Sequence, residues 1–143
     1  MPILEGQQVT KFFGGLAAVY HVDFSVEKGE VFGLIGPNGA GKTTLFNLIS
    51  AALAPKSGTI RFKDQDITGA KPYQICRLGL GRTFQTVKIF ANMPVLENVL
   101  LGSFFGSSTH VSSSRATRQA DELLEFVGLS AVRAMPAKDL TLS

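Results

Sequence analysis

Gly36, Gly41, Lys42 and Thr43 stand at the spacing G-x-x-x-x-G-K-[ST] inside GPNGAGKTT, residues 36–44. That pattern builds a cradle for phosphate. Glycines let the backbone curl so that successive N–H groups aim at one point, and they keep side chains out of the way. A helix leaving the loop adds its positive N-terminal end. Lys42 supplies a point charge for the β- and γ-phosphates, and the Thr43 hydroxyl is a hard oxygen ligand for Mg²⁺. From average residue usage, a chain of this length meets the pattern by chance roughly once in 200 sequences. An ordinary glycine-rich turn before a core helix needs neither Lys nor Thr at those two places.

The surrounding pattern supplies the elements that such a loop requires. The first 35 residues read as strands: Val22, Phe24 and Val26 alternate with His21, Asp23, Ser25 and Glu27, a period of two. VFGLI (31–35) is a continuous apolar run, expected as a strand buried on both faces and leading into the loop. LFNLISAAL has helical spacing and stops near Pro55, and TIRFKD (59–64) alternates as a strand. PYQICRLGL from Pro72 turns helical, and GRTFQ (81–85) reads as a short strand and exit. VLENVLLGSFF (95–105) and ATRQADELLEFVGL (116–129) are expected helices, the second closed by Gly128. The serine-rich GSSTHVSSS (106–114) between them is expected as a connector.

Other chemistries find little support. The single cysteine, Cys76, excludes an internal disulfide, and with His21 and His110 far away in sequence it is expected as a plain buried residue. A net charge of +3 with scattered Lys and Arg gives no footprint for nucleic acid. The N-terminus does not read as a signal peptide. LFNLISAALA (45–54), the longest apolar run, is too short for a transmembrane segment. The expected location is cytoplasmic.

Upstream of the loop, TKFFGG (10–15) places two adjacent aromatics before a Gly-Gly turn, where an exposed ring can stack on a base. Neighbouring side chains alternate along a strand, so one of Phe12 and Phe13 is expected in the core and the other outside. With these residues in view, the sequence resembles the ATP-binding subunits of ABC transporters along its whole length. TKFFGG with AAVYHVDFSVEKGE is similar to the family's N-terminal β-subdomain, and by position Phe13 matches the aromatic that packs on adenine, more often Tyr in the family. IGPNGAGKTTLFNLIS matches the Walker A loop and helix, SGTIRFKDQDITG the strand and turn after it, and GRTFQ the Q-loop. LFNLIS, PYQICRLGLGRTFQ and MPVLENVLLG resemble one ATPase subunit of the branched-chain amino-acid importers, RTFQ being the discriminating stretch. Ala51-Ala52 departs from that pattern, which usually has Gly there.

The resemblance implies an α/β fold, an incomplete P-loop NTPase core with an N-terminal antiparallel β-subdomain and part of the α-helical subdomain. Residues up to about 85 would form the first two, and 86–143 the helical part. It implies a nucleotide site of Phe13, Gly36, Pro37, Asn38, Gly39, Ala40, Gly41, Lys42, Thr43, Thr44 and Gln85, with Thr43 and Gln85 on Mg²⁺ and ATP as the nucleotide. The implied partners are transmembrane permease subunits and a second ATP-binding subunit, at the inner face of the plasma membrane. The family's hydrolytic parts, a Walker B Asp and a catalytic Glu, have no counterpart after residue 44, and Leu142 and Ser143 match only the start of the signature motif. The chain is therefore expected to be the N-terminal portion of such a subunit, with little ATPase activity alone. Three other readings remain at this stage: a non-catalytic ATP-binding or regulatory fragment, the ATPase of another ABC transporter, and a soluble P-loop kinase.

Overall fold

The computed structural model describes the chain apart from residues 85, 87, 107–110 and 141–143. Two compact units emerge, Met1–Ile75 and Cys76–Ser143.

The first unit is built on a hairpin. β1 (Pro2–Phe13) and β2 (Leu16–Glu27) pair antiparallel around Gly14-Gly15, with Gly14 at φ 58. β3 (Ser57–Phe62) pairs with the other side of β1, and the two-residue β4 (Gln65–Asp66) completes an antiparallel sheet of order β2-β1-β3-β4. The alternation read in β2 is realised, with Val22, Phe24 and Val26 half-buried and the residues between them exposed. Phe24 lies over Gly6, its register partner, and its ring occupies the space a Cβ there would take. The register slips after Gly6, where Gln8 takes a left-handed φ of 49. Asp23 holds that bulge, its carboxylate accepting from the Gln8 N–H at 2.6 Å and from the Gln8 side-chain amide at 2.8 Å. Beyond β4, the Asp66 carboxylate accepts the Thr68 N–H at 2.8 Å, and hydrogen bonding to Thr68 lowers its pKa from 3.8. Because the folded value is the depressed one, this contribution is intact above about pH 4 and fades as pH falls through the lowered value.

α1 (Lys42–Ile49) follows the glycine-rich loop and buries Leu45 and Leu48, one turn apart. It ends earlier than its apolar pattern, where Ala51 at φ 54 turns the chain out of helical geometry. α2 (Pro72–Arg77) buries Ile75 and also stops short, because Gly79 at φ 98 closes back on the Cys76 carbonyl at 2.9 Å.

Several expectations are corrected here. Residues 31–35 are not a strand: Val31 is 98% and Ile35 95% exposed. An apolar run becomes a strand only against a hydrogen-bonded neighbour, and no described strand pairs with this one. Residues 81–84 likewise form no strand, and Gln85 lies outside the described residues. Cys76 is exposed, since Ile75 takes the inward position and successive helical residues point about 100° apart. Phe12 and Phe13 are both exposed, so neither serves the core. The hairpin tip leaves the Phe12 and Phe13 side chains open among the described residues.

The second unit packs α3 (Val95–Phe105) against α4 (Ser113–Phe126). The connector is shorter than its composition suggested, because Ser113 and Ser114 already belong to α4; residues 107–110 lie outside the described set. α4 turns Ala116, Ala120 and Leu124 inward at four-residue steps. Val95, Leu124 and Ala137 form the core, with Leu96, Val99, Leu129 and Leu140 packed on it. Asn98 ties the preceding loop to α3: its amide oxygen accepts from the Phe90 N–H at 2.8 Å, and its amide nitrogen lies 3.1–3.2 Å from the carbonyls of Phe90, Met93 and Pro94.

α4 ends as its sequence suggested. Gly128 sits at φ 73, its N–H reaching the Glu125 carbonyl at 3.0 Å, while Leu129 donates to Leu124 at 2.7 Å. That pair of bonds is a Schellman closure, and it delivers Leu129 to the core. Space around Gly128 is open, so Gly128→Ala changes only the backbone preference. We expect it to cost about 1–2 kcal/mol, read as a lowered urea midpoint with unchanged m-value; an unaltered midpoint would show that the closure contributes nothing.

Candidate phosphate-binding site

The loop 36–41 is held at both ends. At its exit, Gly41 is the N-cap of α1 at φ 84 and ψ 3, a left-handed conformation that favours glycine. The Leu45 N–H bonds to the Gly41 carbonyl at 2.8 Å and so starts the helix immediately after the loop. Gly41 also lies against β2 so closely that a Cβ would collide with the carbonyl oxygen of Ala18. Within the loop, the Ala40 N–H turns back to the Pro37 carbonyl at 3.2 Å, and Gly39 takes φ 84.

Lys42 folds back over this turn. Its ammonium donates to the carbonyls of Gly36 at 2.6 Å and Pro37 at 2.7 Å, which fixes a positive charge beside the loop's backbone. The first turn of α1 carries Lys42, Thr43 and Thr44 and no acidic residue. The leading N–H groups of a helix have no carbonyl one turn back, so they point outward from its start. Thr43 is exposed and Thr44 half-buried, while Gly36, Pro37, Asn38, Gly39 and Ala40 are all open to solvent. Helix-start N–H groups without carbonyl partners, a fixed ammonium, an exposed hydroxyl and no acidic residue in the first turn fit a polyphosphate and its hard cation.

The hairpin tip approaches this loop through the Ala18 carbonyl. Phe13 pairs with Leu16, two residues before Ala18, and its ring is 48% exposed. The Lys11 ammonium lies 5.8 Å from the Phe13 ring centroid, and Phe12 makes an edge contact with Tyr20 at 6.1 Å. The structure thus brings ten of the eleven expected site residues into one unit, and the eleventh, Gln85, is outside the described residues. Motif reading missed Ala18 and Lys11. Ala18 acts through its backbone and leaves no side-chain signal. Lys11 was legible only as a charge two residues before Phe13, because the register shift between Lys11 and Phe12 interrupts the alternation that would place it.

Several of the described carboxylates have partners of their own. Asp66 is engaged with Thr68, Asp121 is paired with Arg133 at 2.9 Å, and Glu122 lies 3.6 Å from Arg118. Among the described residues, no group of three or more His, Cys, Asp or Glu is placed to hold a metal. No described helix is long and apolar enough to cross a membrane.

Comparison with known proteins gives a consistent result. Residues 19–143 match the family described as "ABC transporter". The high-affinity branched-chain amino acid transport ATP-binding protein LivG of Escherichia coli is 40% identical over 140 residues, 90% of this chain and 55% of that protein. The corresponding BraF of Pseudomonas aeruginosa is 46% identical over 100 residues, 70% of this chain and 39% of that protein. A crystal structure of the ADP conformation of an ATP-binding cassette of an ABC transporter superposes with a TM-score of 0.80 at 34% identity, covering 99% of this chain and 60% of that one. The chain spans about half the length of the curated relatives it matches. Its fold is that of an ATP-binding cassette over this portion, an incomplete P-loop NTPase.

The two loop glycines separate strain from contact. Both sit at φ 84, but open space surrounds Gly39 whereas Gly41 meets Ala18. Gly39→Ala is expected to cost about 1–2 kcal/mol from conformation alone, and Gly41→Ala clearly more. Chemical denaturation of the two variants checks this, and equal losses would mean that the Ala18 contact is not holding the loop.

Proposed function

The chain belongs to the ABC transporter family, and from that premise we propose that it forms the nucleotide-binding portion of an ATP-binding subunit of an importer for branched-chain or other hydrophobic amino acids. The observation that carries this reading is the phosphate loop anchored on the hairpin, in a sequence 40% identical to LivG. Residues up to about 85 act as β-subdomain and P-loop core, and 86–143 as the helical subdomain.

In this reading the backbone N–H groups of Gly39 and 41–44 and the Lys42 ammonium bind the phosphates of ATP, and Phe13 stacks on the adenine. Gly36, Pro37 and Asn38 shape the turn that Lys42 spans. Thr43 would hold Mg²⁺, which supplies charge neutralisation between the phosphates when bound; the other expected ligand, Gln85, lies outside the described residues. Lys42 exchanges its two loop carbonyls for phosphate oxygens, trading neutral acceptors for charged ones. Two such subunits would enclose ATP between them at the inner face of the membrane. Contacts through Gln85 and residues 86–130 would pass closure to transmembrane permease subunits.

The described carboxylates are engaged elsewhere or lie on turns and helix faces, so binding and turnover separate in this chain. The purified 143-residue chain is expected to bind a fluorescent ATP analogue with Mg²⁺ and to release no measurable phosphate. Lys42→Ala should weaken that binding at least about tenfold, or 1.4 kcal/mol, and Thr43→Ala should remove its Mg²⁺ dependence. Binding indifferent to Lys42→Ala would overturn the nucleotide site. Robust turnover abolished by that substitution would overturn the view that hydrolysis needs other residues. The transport assignment is tested separately, by leucine uptake into vesicles holding the complete subunit with its permeases.

A further inference from the structure

Lys11 stands out because its ammonium has two engagements that converge on the hairpin tip. It donates to the Ala54 carbonyl at 2.7 Å, in the segment that follows α1, and it lies 5.8 Å from the centroid of the Phe13 ring. A backbone bond beside it, from the Lys56 N–H to the Thr10 carbonyl at 2.7 Å, fastens the same two segments. Lys11 is half-buried, so its long stem is committed to this position, while Phe13 remains 48% exposed. A half-exposed phenyl ring at the end of a hairpin has two side-chain torsions to restrain, and a cation over its π-system restrains them.

We propose that Lys11 is a positioning residue of the nucleotide site: tethered to the Ala54 carbonyl, its ammonium holds the Phe13 ring in the orientation that stacks on the base. This rests on the reading of Phe13 as the base-stacking residue and adds what prepares that ring. The device joins recognition of the base to the segment leaving the phosphate-loop helix. Lys11 commits its ammonium to the Ala54 carbonyl and the Phe13 ring in this arrangement. Its removal therefore loosens binding of the base and spares binding of the polyphosphate.

The test compares two ligands that share the phosphates and differ in the base, ATP and inorganic tripolyphosphate. Dissociation constants for both are measured by calorimetry on the purified chain and on its Lys11→Met, Lys11→Arg and Phe13→Ala variants. Lys11→Met is expected to weaken ATP about two- to fivefold, the size of an exposed cation–π contact, with tripolyphosphate unchanged. Lys11→Arg, which keeps a cation able to lie over the ring, is expected to restore ATP binding. Equal weakening of both ligands would place Lys11 on the phosphates or on general stability and overturn the proposal. A loss for Phe13→Ala without one for Lys11→Met would overturn the role of Lys11 and leave that of Phe13 standing. An unchanged ratio in Phe13→Ala would overturn the stacking role itself, and the inference with it.

Discussion

The close approach of Gly41 to the Ala18 carbonyl is the constraint on which the proposed nucleotide site depends. A phosphate cradle is useful only if its N–H groups are held in place before the anion arrives, because ordering a free loop on binding costs about 1–2 kcal/mol per residue. The structure meets this by pressing the end of the loop onto β2. Gly41 has no Cβ and accepts φ 84, so backbone touches backbone where any other residue would stand off. α1 then begins at Lys42 with its first N–H groups directed out of the helix start. Burial of Leu45 and Leu48 on the same helix anchors it from behind, each worth about 1.5–3 kcal/mol.

The hairpin that receives Gly41 is itself built from local exceptions. Gln8 and His21 both take left-handed φ values, near 49 and 48, in the middle of long strands. Such conformations cost of order 1–3 kcal/mol each and persist only where neighbours impose them. Asp23 grips Gln8 through two bonds, the Gln8 side-chain oxygen meets His21 Nδ1 at 2.6 Å, and the His21 N–H reaches the Thr10 hydroxyl at 3.0 Å. These polar contacts fix where the two strands slip register, and so where the chain emerges at Phe12 and Phe13. The position of an aromatic ring at the tip is therefore decided by polar side chains nearer the middle of the sheet.

How much of this was legible depended on whether the cause was local. The G-x-x-x-x-G-K-T spacing named the loop, Gly128 named the end of α4, and the alternation of Val22, Phe24 and Val26 named a strand, because each is set by neighbouring backbone preference. VFGLI misled, since a buried strand is a statement about neighbours and apolar composition alone does not provide them. Cys76 misled for a similar reason: composition says that cysteines are buried, but the helical phase set by Ile75 decides the face. Phe12 and Phe13 were expected to split between core and solvent by alternation. That rule assumes a layer on one side of the strand, and at the hairpin tip both side chains stand open among the described residues.

In the proposed site, recognition of the two ends of a nucleotide would fall to two kinds of structure with different tolerance to change. The phosphate end uses backbone N–H groups, and backbone geometry is shared by nearly all residues, so only the glycines, Lys42 and Thr43 leave a sequence trace. The base end would use one ring, Phe13, whose exposure makes it easy to reach and poorly restrained. An exposed ring contributes to affinity only in so far as something else pays its orientational entropy, which for an immobilised side chain is about 0.5–1.5 kcal/mol. At Phe13 the proposed restraint is a cation two residues earlier on β1, itself bonded to the Ala54 carbonyl. The site is accordingly specified twice, once by a motif that any P-loop protein can carry, and once by a lysine whose meaning depends on the hairpin that presents it.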